Sequence, residues 1–146
     1  MNREYETQWD GIVYIHNDQH RDGKGTKSQW TISKSEELCC FEHAARLLFI
    51  EKLGLENTSE GWGLYLIDEQ VEYLGNSSTE GSKSLRFFIA KFVDGNENGK
   101  WHGYPAGPGG RSQDIPPGDV LLYWVGMNYL RPGAMRKIVK NQYTKP

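Results

Sequence analysis

Apolar positions along this chain change period several times, and each change marks an element. Residues 11–16, Gly-Ile-Val-Tyr-Ile-His, form a β-branched and aromatic run that predicts a strand. Residues 17–28 are polar, contain Asp22-Gly23 and Gly25, and predict a loop or wide hairpin. Gln29, Trp30, Thr31 and Ile32 then supply a short second strand. Leu38, Phe41, Ala45, Leu48 and Phe49 recur at spacings of three and four, which puts one apolar face on a helix. Ser33 and Glu36 form the capping-box pair at its start. Gly54 suits the left-handed residue beyond its end. The helix is predicted at about residues 34–53.

Residues 62–67 read as a strand, and Val71 with Tyr73 alternates as another after a turn. A short helix over about residues 66–74 fits that stretch almost as well. Residues 76–83 are a Ser/Gly-rich connector. Residues 85–93 alternate between two largely apolar sides, as a covered central strand does. Residues 94–99 carry hairpin-loop chemistry, residues 100–104 start the returning strand, and Pro105 is expected to end it. Pro116-Pro117 leads into a helical stripe of Val120, Leu121, Trp124, Val125 and Tyr129. Arg131-Pro132-Gly133 interrupts it, and Ala134, Met135, Ile138 and Val139 begin a second stripe, read as core. The pattern predicts a single α+β domain over residues 1–146. Its mostly antiparallel sheet packs with the helix at about 34–53 and a C-terminal helix pair at about 117–141.

Composition sharpens this picture in two places. Only 37% of residues are hydrophobic, so five Trp, eight Tyr and five Phe must carry much of the core. The net charge of −2 gives no general attraction to nucleic acid. Arg131, Arg136, Lys137, Lys140 and Lys145 do gather late in the chain, where a solvated helix face accounts for them. The two late helices outline a helix-turn-helix, but base-reading side chains are sparse, and a packing hairpin is the simpler account. No apolar run has membrane-spanning length, and the charged first residues lack a signal-peptide pattern. A cytoplasmic location is expected, with Cys39 and Cys40 as reduced thiols.

Candidate chemistry concentrates in residues 100–111. Trp101, His102, Tyr104 and Arg111 stand among glycines and prolines, including Gly109 and Gly110. An arginine fork suits phosphate or carboxylate, aromatic faces suit a base or sugar, and paired glycines can offer backbone N–H groups to an anion. The segment is neither a phosphate-binding Walker loop nor a dinucleotide fingerprint. These six residues are the predicted ligand site, with Trp101 and Tyr104 equally open to a core role.

Other clusters read more plainly. His16 and His20 near Asp18 and Asp22 fit a polar loop better than a metal site. Cys39, Cys40 and His43 lie inside the predicted helix and read as core rather than as a thiol dyad. No catalytic set, metal or cofactor is expected. The leading expectation is a small non-enzymatic protein that senses or sequesters an anionic, nucleotide-like ligand. A protein-interaction module such as an immunity protein or inhibitor is the alternative, and an enzyme with an unrecognised site is the third. Membrane and nucleic-acid partners are not expected, and an oligomer would most simply be a symmetric dimer.

Overall fold

The computed structural model describes residues 4–78 and 84–146. Residues 79–83 of the Ser/Gly-rich connector lie outside the described residues. The chain forms β1 (Glu4–Glu6), β2 (Val13–Ile15), β3 (Gln29–Trp30), α1 (Lys34–Phe49), β4 (Glu60–Ile67) and β5 (Gln70–Glu72). Then come β6 (Gly75–Asn76), β7 (Arg86–Phe87), β8 (Ile89–Val93), β9 (Lys100–Gly107), α2 (Gly118–Gly126) and α3 (Pro132–Val139). The main sheet has the order β1-β2-β9-β8-β4-β5, and a small sheet joins β3, β6 and β7. All pairings are antiparallel except β2 with β9, where Val13 lies opposite Lys100. The α+β architecture is as expected, with one long helix and a C-terminal helix pair.

The start of α1 follows from its sequence. Ser33 Oγ accepts from Glu36 N, and Glu36 Oε1 accepts from Ser33 N, so both halves of the capping box are made. The helix ends at Phe49, short of the expected 53. Glu51 N reaches back to Arg46 O and Leu53 N to Leu47 O, while Lys52 turns to a φ of 58°. Those bonds satisfy the last carbonyls in a widened turn, and Gly54 follows at a φ of 73°.

α1 lies against the face of β4 that carries Gly61 and Gly63. A Cβ on Gly63 would come within 2.3 Å of Cys40 O, so only glycine admits the helix at this depth. Tyr14, Trp30, Phe41, Ala44, Phe92 and Trp101 build one buried cluster on this side. A second cluster joins Trp62, Leu64 and Ile89 of the sheet to Val120, Trp124 and Ile138 of the helix pair, and reaches Leu47 on α1. The C-terminal helices are thus packing elements, and Lys137 and Lys140 are exposed. Val139 was expected in the stripe but is 54% exposed, because it ends α3 beyond the turn that Ile138 buries.

Two strand expectations need correction. Residues 85–93 are not one strand: β7 pairs with β6 in the small sheet, and β8 starts anew beside β4 and β9. Pro105 does not end β9, which runs to Gly107. Pro105 lies opposite Ala90 where the β8–β9 register shifts, a place where a missing N–H is tolerated. Residues 66–74 form the β4–β5 hairpin rather than a helix, with Asp68 and Glu69 at φ of 51° and 64°. Those two positive values are the signature of a type I′ hairpin turn.

One charged group is buried with no part in the surface chemistry. Glu37, in the first turn of α1, is 0% exposed. Its carboxylate accepts from Tyr14 Oη and from Arg21 Nε and NH2, the latter at 2.7 Å. His16 Nδ1 stands 2.9 Å from Glu37 Oε2 but out of line for a hydrogen bond. Arg21 NH1 also donates to Ile32 O at 2.8 Å. The cluster ties β2 and the loop after it to α1.

Candidate functional site

The alternation of β9 decides the fate of the predicted site residues. Phe92 lies opposite Gly103, and Lys91 opposite Tyr104. Trp101, Gly103 and Pro105 therefore share the side facing the first core cluster, while His102 and Tyr104 share the other. Trp101 is 3% exposed and packs edge-on to Phe49 and tilted against Phe41. It is a core residue and does not line the cleft that the other five predicted residues share. On the same side the Phe92 ring fills the space that a Cβ on Gly103 would need, 2.2 Å from it.

His102, Tyr104, Gly109, Gly110 and Arg111 all line one cleft of about 550 Å3. Its opposite wall comes from residues 17–28, and Ser77, Ser78, Leu85 and Phe87 close a third side. Gln29 organises the far wall: its side chain accepts from Gly23 N and donates to Gln19 O and Lys27 O. Ser78 Oγ donates to Gly25 O at 2.8 Å and ties that wall to the β6 end.

The near wall is set by a buried carboxylate. Asp114 is 6% exposed and accepts from Tyr104 Oη at 2.8 Å and from Arg111 Nε at 3.3 Å. Arg111 NH2 also donates to Tyr104 Oη at 3.0 Å. Beneath them Lys91, 4% exposed, pairs with Glu60 at 2.6 Å and Asp114 at 3.5 Å and donates to Gln113 O. Burial, then the Asp114 bond, pushes the Tyr104 phenol well up, so it stays protonated. Asp114 raises Arg111, whose charge is permanent. The guanidinium side chain remains 63% exposed, aimed by its carboxylate rather than consumed by it. Gly109, at a φ of 96°, turns the chain here, and Gly110 is held by Asn141 Nδ2 on its carbonyl. A Cβ on Gly110 would lie 2.9 Å from Ala106 O, so the turn folds tightly onto β9.

Sequence reasoning missed His20. The turn Asp18–His20 carries it into the cleft, where its ring stacks on Tyr104 at 5.3 Å between centroids and 17° between planes. Its Nδ1 lies 2.8 Å from Ser28 O. A carbonyl only accepts, so Nδ1 holds the proton and Nε2 carries the lone pair of the neutral ring. Burial lowers the His20 pKa, opposed by the Ser28 hydrogen bond and aided by Lys27 and His102. Burial likewise lowers His102, opposed by Asp94. Its Nδ1 is buried with no partner among the described residues. Both shifts favour the neutral ring. His16, also discounted, belongs to the Glu37 cluster and not to the cleft.

The cysteines stay outside this chemistry. Cys39 is exposed, and Cys40 is buried with its thiol pushed up by desolvation, the reverse of an activated nucleophile. His43 Nε2 accepts from Trp124 Nε1 at 3.3 Å and is pushed down to about 4, chiefly by burial. An unfolded chain's imidazole titrates near ~6.5. Below that pH the unfolded chain takes up a proton that the fold refuses, so stability is complete above about 6.5 and falls as pH approaches 4. The expected loss from His43 at pH 4 is on the order of 3 kcal/mol. His20 and His102 contribute in the same direction. Urea denaturation at pH 7 and 4.5 should show the loss, and His43→Gln should shrink it. An equal pH dependence in the variant would contradict this account.

Among the described residues no group of three or more His, Cys, Asp or Glu is arranged to hold a metal ion, and no helix is long and apolar enough to cross a membrane. Comparison with known protein families, curated proteins and solved structures finds no match to this chain.

Proposed function

We propose that this chain binds a small anionic ligand with a planar ring, nucleotide-like in its chemistry, in the cleft beside β9. One observation carries the reading: the stacked His20–Tyr104 pair, Arg111 and Lys27 converge on one hollow although they come from separate segments. The arrangement offers a π-face for a base and two cations for a phosphate. Ser28, Ser77 and Ser78 add hydroxyls that suit a sugar. A volume of about 550 Å3 sits within the ~300–1,000 Å3 of small-molecule sites. Sensing and sequestration both follow from holding such a ligand. Burial of Trp101 takes the largest aromatic away from any exposed patch, which weighs against reading the same loop as a protein-docking hot spot.

Thermal shift against a panel of mono- and dinucleotides, with inorganic phosphate as the ring-free control, tests the proposal. A ligand at a hundred times its Kd should add about 2.7 kcal/mol of stability. A melting temperature unmoved by every nucleotide would overturn it. Arg111→Ala should weaken binding of the responding nucleotide by about 1.5–3 kcal/mol, the range for a charge-assisted hydrogen bond. The melting temperature without ligand should change little, since the guanidinium is largely in solvent. An unchanged Kd by calorimetry would remove Arg111 from the site.

A further inference from the structure

The cleft contains an imidazole held by both a hydrogen bond and a ring stack. His20 is 8% exposed, and its Nδ1 proton is committed to Ser28 O. The stack on Tyr104 fixes the plane of the ring, and the Asp114 bond fixes Tyr104 in turn. With Nδ1 on Ser28 O, Nε2 is the ring nitrogen left to meet a ligand. Burial favours the neutral ring, the form in which Nε2 carries the lone pair. A carbonyl that sets the tautomer of a buried imidazole prepares it to accept a proton. Arg111 and Lys27 line the same cleft, where charge building on a phosphate can be met.

We propose that the cleft cleaves a ribonucleotide 3′–5′ phosphodiester, with His20 as the general base. The inference rests on the binding reading above and adds a reaction to it. Such a substrate brings its own nucleophile, the ribose 2′-hydroxyl next to the phosphate, so the protein has to supply only a base and positive charge. The 2′-hydroxyl proton passes to His20 Nε2 as the O2′–P bond forms. The P–O5′ bond breaks, and the departing 5′-oxygen takes a proton from water. The hydroxide so formed recovers the proton from His20. The products are a 2′,3′-cyclic phosphate and a free 5′-hydroxyl, with no oxidant, reductant or net water consumed. Arg111 steadies the negative charge on the phosphoryl oxygens during the step. The chain's net charge of −2 disfavours long polyanions, so the substrate is a short oligonucleotide.

The probes are adenylyl-(3′→5′)-adenosine and its 2′-deoxy analogue, with binding read by calorimetry and products by phosphorus NMR. Both should bind, and only the ribo form should turn over. His20→Asn keeps a side-chain N–H for Ser28 O and removes the base. Turnover at saturating dinucleotide should fall on the order of 100-fold or more, the scale of general-base catalysis, with any weakening from loss of the stacked ring read separately as the Kd. The pH profile of the unaltered protein reads the same group without a variant: turnover should be level near neutrality and fall on the acid side of ~6.5, the ordinary imidazole pKa. If no nucleotide binds, the binding reading fails and takes this inference with it. If nucleotides bind and the ribo dinucleotide stays intact or does not bind, this inference alone fails. Cleavage of the deoxy analogue would overturn attack by the 2′-hydroxyl. Full turnover by His20→Asn, or a profile level into acid, would overturn the role of His20.

Discussion

Glu37→Ala is expected to destabilise the fold by about 3–5 kcal/mol, because the Arg21 guanidinium and the buried Tyr14 phenol lose their partner inside the protein. Arg21 makes two of its hydrogen bonds to Glu37, and Tyr14 Oη, 0% exposed as a residue, makes another. Alanine leaves the guanidinium partly buried with only the Ile32 carbonyl, and leaves the phenol without an acceptor. Glu37→Gln preserves size and one acceptor oxygen, so its loss should be clearly smaller. Guanidinium denaturation of both variants provides the measurement. Equal, small losses would mean that the cluster is held by packing and that the charge contributes nothing. The loop after β2 should also loosen in Glu37→Ala, because Arg21 links it to α1. Hydrogen exchange at residues 17–28 would register that change even if the global loss were modest.

Trp124→Ala should produce a loss of similar size by a different route. The indole is 0% exposed at the centre of the second core cluster, between the helix pair and the sheet. Truncating a large buried aromatic typically costs about 3–5 kcal/mol, through lost transfer energy and an unfilled cavity. A domain of this kind has about 5–15 kcal/mol in total, so the variant stands near the edge of folding. Trp124→Phe separates packing from polarity: it fills most of the space and removes only the donor to His43 Nε2. The phenylalanine variant should recover most of the stability. A near-neutral alanine variant in urea denaturation would refute the placement of this residue.

Legibility from sequence varied with how local the cause was. The α1 start was readable because Ser33 and Glu36 act on each other across three residues. The hairpin at residues 94–99 was readable for the same reason: Asp94 accepts from Asn98 N and Gly99 N, bonds made within the turn. The break between β7 and β8 was not, because it depends on β6 claiming Arg86 and Phe87 for a second sheet. Trp101 and Tyr104 looked interchangeable until the pairing of β8 with β9 assigned them to opposite sides. Five of the six predicted site residues meet in one cleft because they follow one another along a strand and its turn. His20 stood out only as a loop histidine near Asp18 and Asp22, with nothing to place it beside Tyr104. Its partners, Tyr104 and Ser28, are named only by a tertiary contact and by a loop closure that no local pattern encodes.

The β2–β9 pairing has a consequence for the order of assembly. Val13 meets Lys100 across most of the chain, and contacts of such separation close late because the intervening loop must first be brought together. The wall bearing His20 hangs from the end of β2. During synthesis, α1 and the β4–β5 hairpin can form while β2 still has no neighbour on the side that β9 will occupy. A nascent chain at that stage holds the imidazole but has no phenol to stack it on. Nucleotide capture would therefore report finished topology, and a ligand added during refolding should accelerate nothing before the last strand has docked.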